Sequence, residues 1–164
     1  LGLYVGVDES QDSIHQAQSL TKNAIDQKRA LFFNQISSVS ENQKFDLITA
    51  FNVFHHVEPA ERLNVAKSLH KHLKPDGLFL LWEHNPFNPV TRYLVKICPF
   101  DKGVKLLTRS TARKLFEEAG FKTQKSAYIN ITPPKIQKLW PVKKIEAAFD
   151  QMPLGTQYHV LFTC

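Results

Sequence analysis

An aspartate at the end of a short apolar run is the first residue whose type and position suggest chemistry. Residues 3–7 have the composition of a strand, Asp8 follows them, and Ser10 is a typical N-cap for a helix. In open α/β sheets nucleotides bind at the C-terminal ends of parallel strands, and a carboxylate there can accept both hydroxyls of a ribose. The structural alternative is that Asp8 only begins a turn or a helix.

Four further side chains are candidate proton acceptors because they lie at or just beyond the ends of two predicted buried strands. These are His55 and His56 after one strand, and Glu83 and His84 at the end of another. A base in such a place can take a proton from a bound nucleophile. For His56 we favour a packing and capping role, and Glu83 can alternatively pair with Arg92.

The elements that must position these residues alternate between strand and helix along the chain. This alternation predicts a doubly wound, mostly parallel α/β sheet. Strands are predicted over residues 3–8, 30–34, 45–50, 77–83, 125–131 and 158–162, and helices over 11–28, from Pro59 to 73, 110–119 and 141–150.

Several of these segments, in this order and spacing, resemble class I S-adenosylmethionine-dependent methyltransferases of the small-molecule type. The resemblance rests on Asp8 after its strand, the Phe-Asp strand that runs into His55-His56 at 44–57, and Leu-Lys-Pro-Asp-Gly at 73–77. It continues through residues 110–121 and 153–158. It implies a Rossmann-like sheet of order 3-2-1-4-5-7-6 with an antiparallel last strand, S-adenosylmethionine as cofactor, and methyl transfer to a small-molecule acceptor.

The resemblance also implies which residues contact the cofactor. Asp8 is at the ribose position, whereas Asn34 replaces the acid that many relatives direct at the adenine amino group, although an amide oxygen can accept the same hydrogen bond. The implied cofactor residues are Asp8, Glu9, Asn34, Gln35, Ala50, Phe51 and Asn52, the last three beside the methionine and methyl portions. Among the four candidate proton acceptors at the strand ends, we expect His55, Glu83 and His84 to be catalytic.

The chain departs from the family at its start, because it contains no Gly-x-Gly-x-Gly run. We therefore expect residues 1–164 to form a single methyltransferase domain that lacks the family's first, central strand. Strand edges left open in this way must be covered. We expect residues 5–7 to pair directly with 47–49, or a homodimer to cover both edges. A catalytically inactive methyltransferase-like binding or assembly domain is the alternative function.

A long connection after the strand at 77–83 is the predicted substrate wall. The insertion covers about residues 84–108 and is rich in aromatic residues and proline. Connections longer than about 12 residues are often functional. We expect Asn85, Phe87 and Tyr93 to contact the acceptor. A second stretch, 132–140, either flanks the pocket or is a packing element.

Composition excludes several other classes. The 164 residues are 43% hydrophobic, which suits one core, and no apolar run approaches the roughly 20 residues of a membrane helix. The net charge is +6, but the basic clusters have the spacing of solvated helix faces, so we expect no nucleic-acid partner. No secretion signal or disulfide framework is present, and no Cys/His spacing suggests a metal site, so we predict no metal and a cytoplasmic location.

Overall fold

The computed structural model of the chain describes residues 2–132, 144 and 147–164. Within it the chain divides into two compact units, Leu1–Gln43 and Lys44–Cys164. The two units are described separately below.

The first unit is a small parallel two-stranded sheet with helices between its strands. In chain order it contains β1 (Tyr4–Val7), α1 (Gln11–Leu20), α2 (Lys22–Asp26), β2 (Ala30–Phe33) and a short 3-10 helix (Ile36–Ser38). Ser10 caps α1 by accepting the Ser13 amide at 3.2 Å, as its residue type predicts. The predicted helix over 11–28 is interrupted at Thr21, whose hydroxyl donates to the Ala17 carbonyl at 2.7 Å.

The second unit contains the larger sheet and most of the core. Its elements are β3 (Phe45–Phe51), α3 (Arg62–His72), β4 (Leu73–His84), α4 (Pro89–Ile97), a second 3-10 helix (Pro99–Asp101), α5 (Arg109–Glu118), β5 (Lys122–Ile129) and β6 (Gln157–Thr163). The strand order is β3-β4-β6-β5, with β3 and β4 parallel and β6 antiparallel to both of its neighbours. The predicted Rossmann-like fold with an antiparallel last strand is confirmed.

The described strands form two sheets, one in each unit. Their orders, β1-β2 and β3-β4-β6-β5, are the two portions of the family order that flank the family's first strand. Within its unit β1 pairs with β2, and β3 pairs with β4. The direct pairing of residues 5–7 with 47–49, or a homodimer that covers both edges, stays a prediction.

The core of the second unit lies on one face of its sheet, where aromatic rings pack together. Phe79 of β4 is fully buried and lies 4.9 Å from Phe116 of α5 and 5.7 Å from Phe162 of β6, measured between ring centroids. Because strand side chains alternate between faces, Leu81 and then Glu83 follow Phe79 on the same inward face. The alternation therefore places a carboxyl group at the end of an apolar row.

Two helical segments differ from the predictions. Helix α3 begins at Arg62 rather than near Pro59, and α4 is an unpredicted helix within the insertion, started by Asn88, whose side chain accepts the Val90 and Thr91 amides. Half of the predicted helix over 141–150 lies outside the described residues, as does the stretch 132–140 apart from Thr132. No helix among the described residues is long and apolar enough to cross a membrane.

Candidate active site

One edge of the larger sheet collects the polar residues of the candidate site. Strands β3 and β4 are parallel, with Phe51 opposite Trp82, so both end at this edge. Strand β6 runs the other way and begins there, with Gln157 opposite His84. The topology thus brings together residues that are about 70 positions apart in the chain.

Glu83 makes two short hydrogen bonds within the protein. Its Oε1 accepts the Phe54 amide at 2.6 Å, and its Oε2 lies 2.6 Å from Nδ1 of His55. The side chains of Glu83 and His55 are each only 1% exposed. Glu83 therefore pairs with His55, and this contact holds the proton of the imidazole on Nδ1.

The other nitrogen of His55 has a different environment. Its Nε2 lies 3.6 Å from Oδ1 of Asp101 and, although buried, has no hydrogen-bond partner within residues 2–132, 144 and 147–164. Nε2 of His56 lies 3.5 Å from the same aspartate oxygen. The Asp101 side chain is 12% exposed and that of His56 is 44% exposed, so the cluster extends from the core to the surface.

The buried His55 and the half-buried His84 have pKa values shifted in opposite directions. Burial lowers the pKa of His55, but the hydrogen bond and charge of Glu83, together with Asp101, outweigh burial and raise this pKa above 6.5. The pKa of His84 is lowered below 6.5, first by burial and then by the charge of His55. His84 is consequently a neutral imidazole at neutral pH.

Backbone contacts hold Asp101 beside the two histidines. The Asp101 amide donates to the Cys98 carbonyl at 3.2 Å, which closes the short helix after α4. Further along, the Lys105 amide donates to the His55 carbonyl at 3.2 Å, and the Arg62 guanidinium donates to the Lys105 carbonyl. These hydrogen bonds therefore hold the end of the insertion, around Lys105, next to His55.

A pocket of about 660 Å³ lies beside this cluster. Its wall combines the end of β4, the inner side of α4 and the entry to β6. It is lined by His84, Thr91, Leu94, Val95, Ile97, Cys98, Asp101, Thr156 and Gln157. Small-molecule sites are usually concave and mainly apolar with a few placed polar groups, and this pocket has that character.

The predicted substrate residues lie around this pocket rather than in its lining. Asn85 is fully buried, and its amide nitrogen donates to the carbonyls of Pro153 at 3.0 Å and Gly155 at 2.7 Å. Phe87 and Tyr93 are 60% and 62% exposed. The structure therefore brings His84 to the pocket, while Asn85 holds the loop that leads into β6.

In the first unit the predicted adenosine residues share one strand edge. Asp8 is exposed, its Oδ1 accepts the Ser10 amide at 2.8 Å, and its own amide donates to the Phe33 carbonyl at 3.1 Å. That second bond places Asp8 beside Asn34. Glu9 and the amides of Asn34 and Gln35 are exposed. An accessible carboxylate next to accessible amides fits the hydroxyls of a ribose and the polar edge of an adenine.

In the second unit the predicted methionine-side residues end β3. Ala50 is buried and Phe51 is 52% exposed. Asn52 has a φ of +53°, a left-handed conformation that asparagine tolerates better than most residues, and its amide donates to the Trp82 carbonyl at 2.8 Å. Its Oδ1 accepts from Gln157 at 3.4 Å, so this tight turn contacts a residue of the pocket wall.

Asp101 and Gln157 are the site residues that the sequence analysis missed. Asp101 is 45 positions from His56, and nothing in the spacing indicates that the insertion folds back on the histidine pair. The available signal was an acid directly after the Pro99 turn within the predicted substrate wall. Gln157 lies in the segment 153–158, to which the resemblance assigns no site residue.

Comparisons with known proteins agree with this architecture. The profile of a methyltransferase domain family matches residues 3–126. An S-adenosylmethionine-dependent methyltransferase from Mesorhizobium loti superposes with a TM-score of 0.69 at 18% identity, over 99% of this chain and 81% of that one. A cyclopropane synthase from Mycobacterium tuberculosis gives a TM-score of 0.68 at 13% identity, over 99% and 70% of the two chains. A search of curated proteins found no significant match.

Proposed function

This chain belongs to the methyltransferase domain family, and we propose that it transfers a methyl group from S-adenosylmethionine to a small-molecule acceptor held beside His84. The observation that carries the proposal is the pocket of about 660 Å³ at the end of β4, which has a polar end at His84 and Asp101 and an apolar wall on α4. Its size and mixed lining suit a small molecule better than a polymer.

The cofactor residues of the proposal are those whose geometry fits each part of S-adenosylmethionine. In the first unit, Asp8 would accept the ribose hydroxyls, with Glu9 next to it, and Asn34 and Gln35 would meet the adenine. In the second unit, Ala50, Phe51 and Asn52 would line the methionine portion. When bound, S-adenosylmethionine supplies an electrophilic methyl group on sulfur for in-line displacement.

His84 is the proposed proton acceptor. It lines the pocket, whereas Glu83 is buried and committed to Phe54 and His55. A neutral imidazole at the pocket can take the proton that an acceptor hydroxyl, amine or thiol loses as it is methylated. Glu83 and His55 then act as positioning residues that fix the end of β4.

The apolar part of the wall suggests the character of the acceptor. Three apolar side chains of α4 line the pocket: Leu94, Val95 and Ile97. Thr91 of the same helix lies deeper, and its hydroxyl donates to the Thr156 carbonyl at 2.7 Å. We expect an acceptor with an apolar body that places one nucleophilic group at His84.

The proposal is tested by measuring S-adenosylhomocysteine formation across a panel of amphipathic hydroxyl, amine and thiol acceptors. His84→Ala should lower turnover of an accepted compound by roughly 10²- to 10⁴-fold, the usual contribution of a general base. His15→Ala is the matched control, since His15 is an exposed histidine bonded to Gln11 in the first unit. Equal turnover by wild type and His84→Ala would reject His84 as the base.

A binding or assembly domain without catalysis is the second candidate function. Calorimetry with S-adenosylhomocysteine shows whether the chain binds the cofactor at all, which both functions require. Cofactor binding without turnover of any acceptor in the panel would favour this second function.

A further inference from the structure

We propose that His55, His56 and Asp101 bind one divalent transition-metal ion of the zinc type. Each residue offers one ligand atom, and these atoms all lie within 4.8 Å of one another. The ligand set of two imidazole nitrogens and one carboxylate oxygen suits Zn²⁺ and similar borderline ions. This inference does not depend on methyl transfer, since it concerns binding by the second unit alone.

The separations of the ligand atoms favour a metal ion over a shared proton. Oδ1 of Asp101 lies 3.6 Å from Nε2 of His55 and 3.5 Å from Nε2 of His56. A charge-assisted hydrogen bond would bring such atoms to about 2.7–2.9 Å. Donors on a tetrahedral ion with bonds of about 2.0–2.1 Å lie about 3.3 Å apart. The two separations from Asp101 are thus close to that spacing, and the two histidine ligand atoms lie within 4.8 Å of each other.

Glu83 prepares His55 to be a ligand. Its carboxylate accepts the proton on Nδ1 at 2.6 Å, so Nε2 presents a lone pair towards Asp101. Metal-binding histidines usually donate their second nitrogen to a carboxylate or carbonyl in this way, which fixes the ring and its tautomer.

The burial of His55 gives an independent indication of a ligand. His55 is 2% exposed, and its Nε2 has no hydrogen-bond partner among the described residues. Buried polar atoms nearly always have a partner because leaving one unsatisfied costs free energy. A metal ion would satisfy this atom and balance the charge of the nearby carboxylates.

The position of the cluster indicates an open coordination site. Asp101 lines the pocket, and the His56 side chain is 44% exposed, so three protein ligands leave a fourth position reachable from solvent. Catalytic-type zinc sites have this composition, with three ligands and a water or substrate in the fourth position.

The test is Zn²⁺ titration of the full chain by calorimetry after treatment with a chelator, with Co²⁺ absorption as a second probe. We expect one ion per chain. His56→Ala and Asp101→Asn should each weaken binding by at least the roughly 10- to 100-fold seen for loss of a metal's supporting residues. His15→Ala should bind as the wild type does. His56 is exposed enough for its replacement to leave the fold intact, which circular dichroism verifies.

A measurement on the unaltered chain complements the variants. Of the seven histidines, His55 and His56 should show the large changes in imidazole ¹⁵N resonance that coordination causes when one equivalent of Zn²⁺ is added. His84, whose ring lies 5.0 Å from that of His55, should show a smaller change, and the other four should not respond. Failure to bind one equivalent, binding that survives both His56→Ala and Asp101→Asn, or a response from other histidines instead would each overturn the proposal.

Discussion

Nδ1 of His55 lies 2.6 Å from Oε2 of Glu83, and this contact joins the segment after β3 to the last inward position of β4. The same carboxylate accepts the Phe54 amide, so both of its oxygens are bonded in a region without solvent. A buried pair of this kind is costly to break, because the remaining partner keeps its desolvation penalty. The pair therefore fixes the strand ends that position His84.

Removing one partner of this pair should strongly destabilise the fold. Glu83→Ala leaves His55 and the Phe54 amide buried without their acceptor, and we expect it to lower the free energy of unfolding by about 3–5 kcal/mol. Urea denaturation with chelator present measures the change. Glu58→Ala is the control, because Glu58 and Lys105 form an exposed pair worth at most about 1 kcal/mol. Similar losses in both variants would contradict this account.

The fold was predictable because it depends on local patterns. Apolar runs and alternation identified the strands, and the order of the sheet followed from the family resemblance. Helix α4 was not predicted, because the prolines and aromatic residues of the insertion indicate a connection that forms a pocket wall. Asn88 and Pro89 in fact supply the N-cap and first position of this helix.

The candidate site was only partly predictable, because it depends on contacts between distant segments. His84 was identified from its place at a strand end. By contrast, the contact of Asp101 with His55 spans 46 positions, and no local pattern in the chain reports it. The burial of Glu83 follows from strand alternation, but its partner does not.

Asp8 provides a test of the cofactor proposal. If its carboxylate accepts the ribose hydroxyls, Asp8→Ala should weaken S-adenosylhomocysteine binding by about 1.5–3 kcal/mol, the range for hydrogen bonds to a charged group. Calorimetry measures this difference. Asp12→Ala is the matched control, since Asp12 is an acid in the first turn of α1. An unchanged affinity in Asp8→Ala would remove this residue from the proposed site.

The pocket wall on α4 should determine use of the acceptor rather than of the cofactor. Leu94 lines the pocket with a side chain that is 52% exposed, so its truncation to alanine removes apolar surface that the acceptor would cover, and we expect the acceptor KM to rise by roughly 5- to 50-fold. Phe87→Ala and Tyr93→Ala, outside the lining, should weaken acceptor use less, and all three variants should bind S-adenosylhomocysteine normally. Parallel loss of acceptor use and cofactor binding would indicate a structural role for this helix.

His159 should make stability fall in mild acid. It lies on β6 with its ring 6.2 Å from that of Trp82, and its pKa is lowered below 6.5 by burial and then by the charge of Lys125, against an opposing effect of Asp150. The unfolded chain therefore binds a proton at this residue more readily than the folded chain does. It follows that the free energy of unfolding decreases as the pH falls below about 6.5, whereas well above that pH the residue contributes no pH dependence.

Replacing this histidine isolates its contribution from that of the other histidines. His159→Gln should lose less unfolding free energy than the wild type between pH 8 and pH 5.5, because glutamine does not take up the proton. Urea denaturation at several pH values measures both curves. At pH 8 His159 is neutral in both the folded and unfolded chains, so the difference in unfolding free energy between the two proteins there reflects the changed packing against Trp82. This difference is the reference for the values at lower pH. A variant whose stability depends on pH as steeply as that of the wild type would show that His159 titrates alike in the folded and unfolded chains.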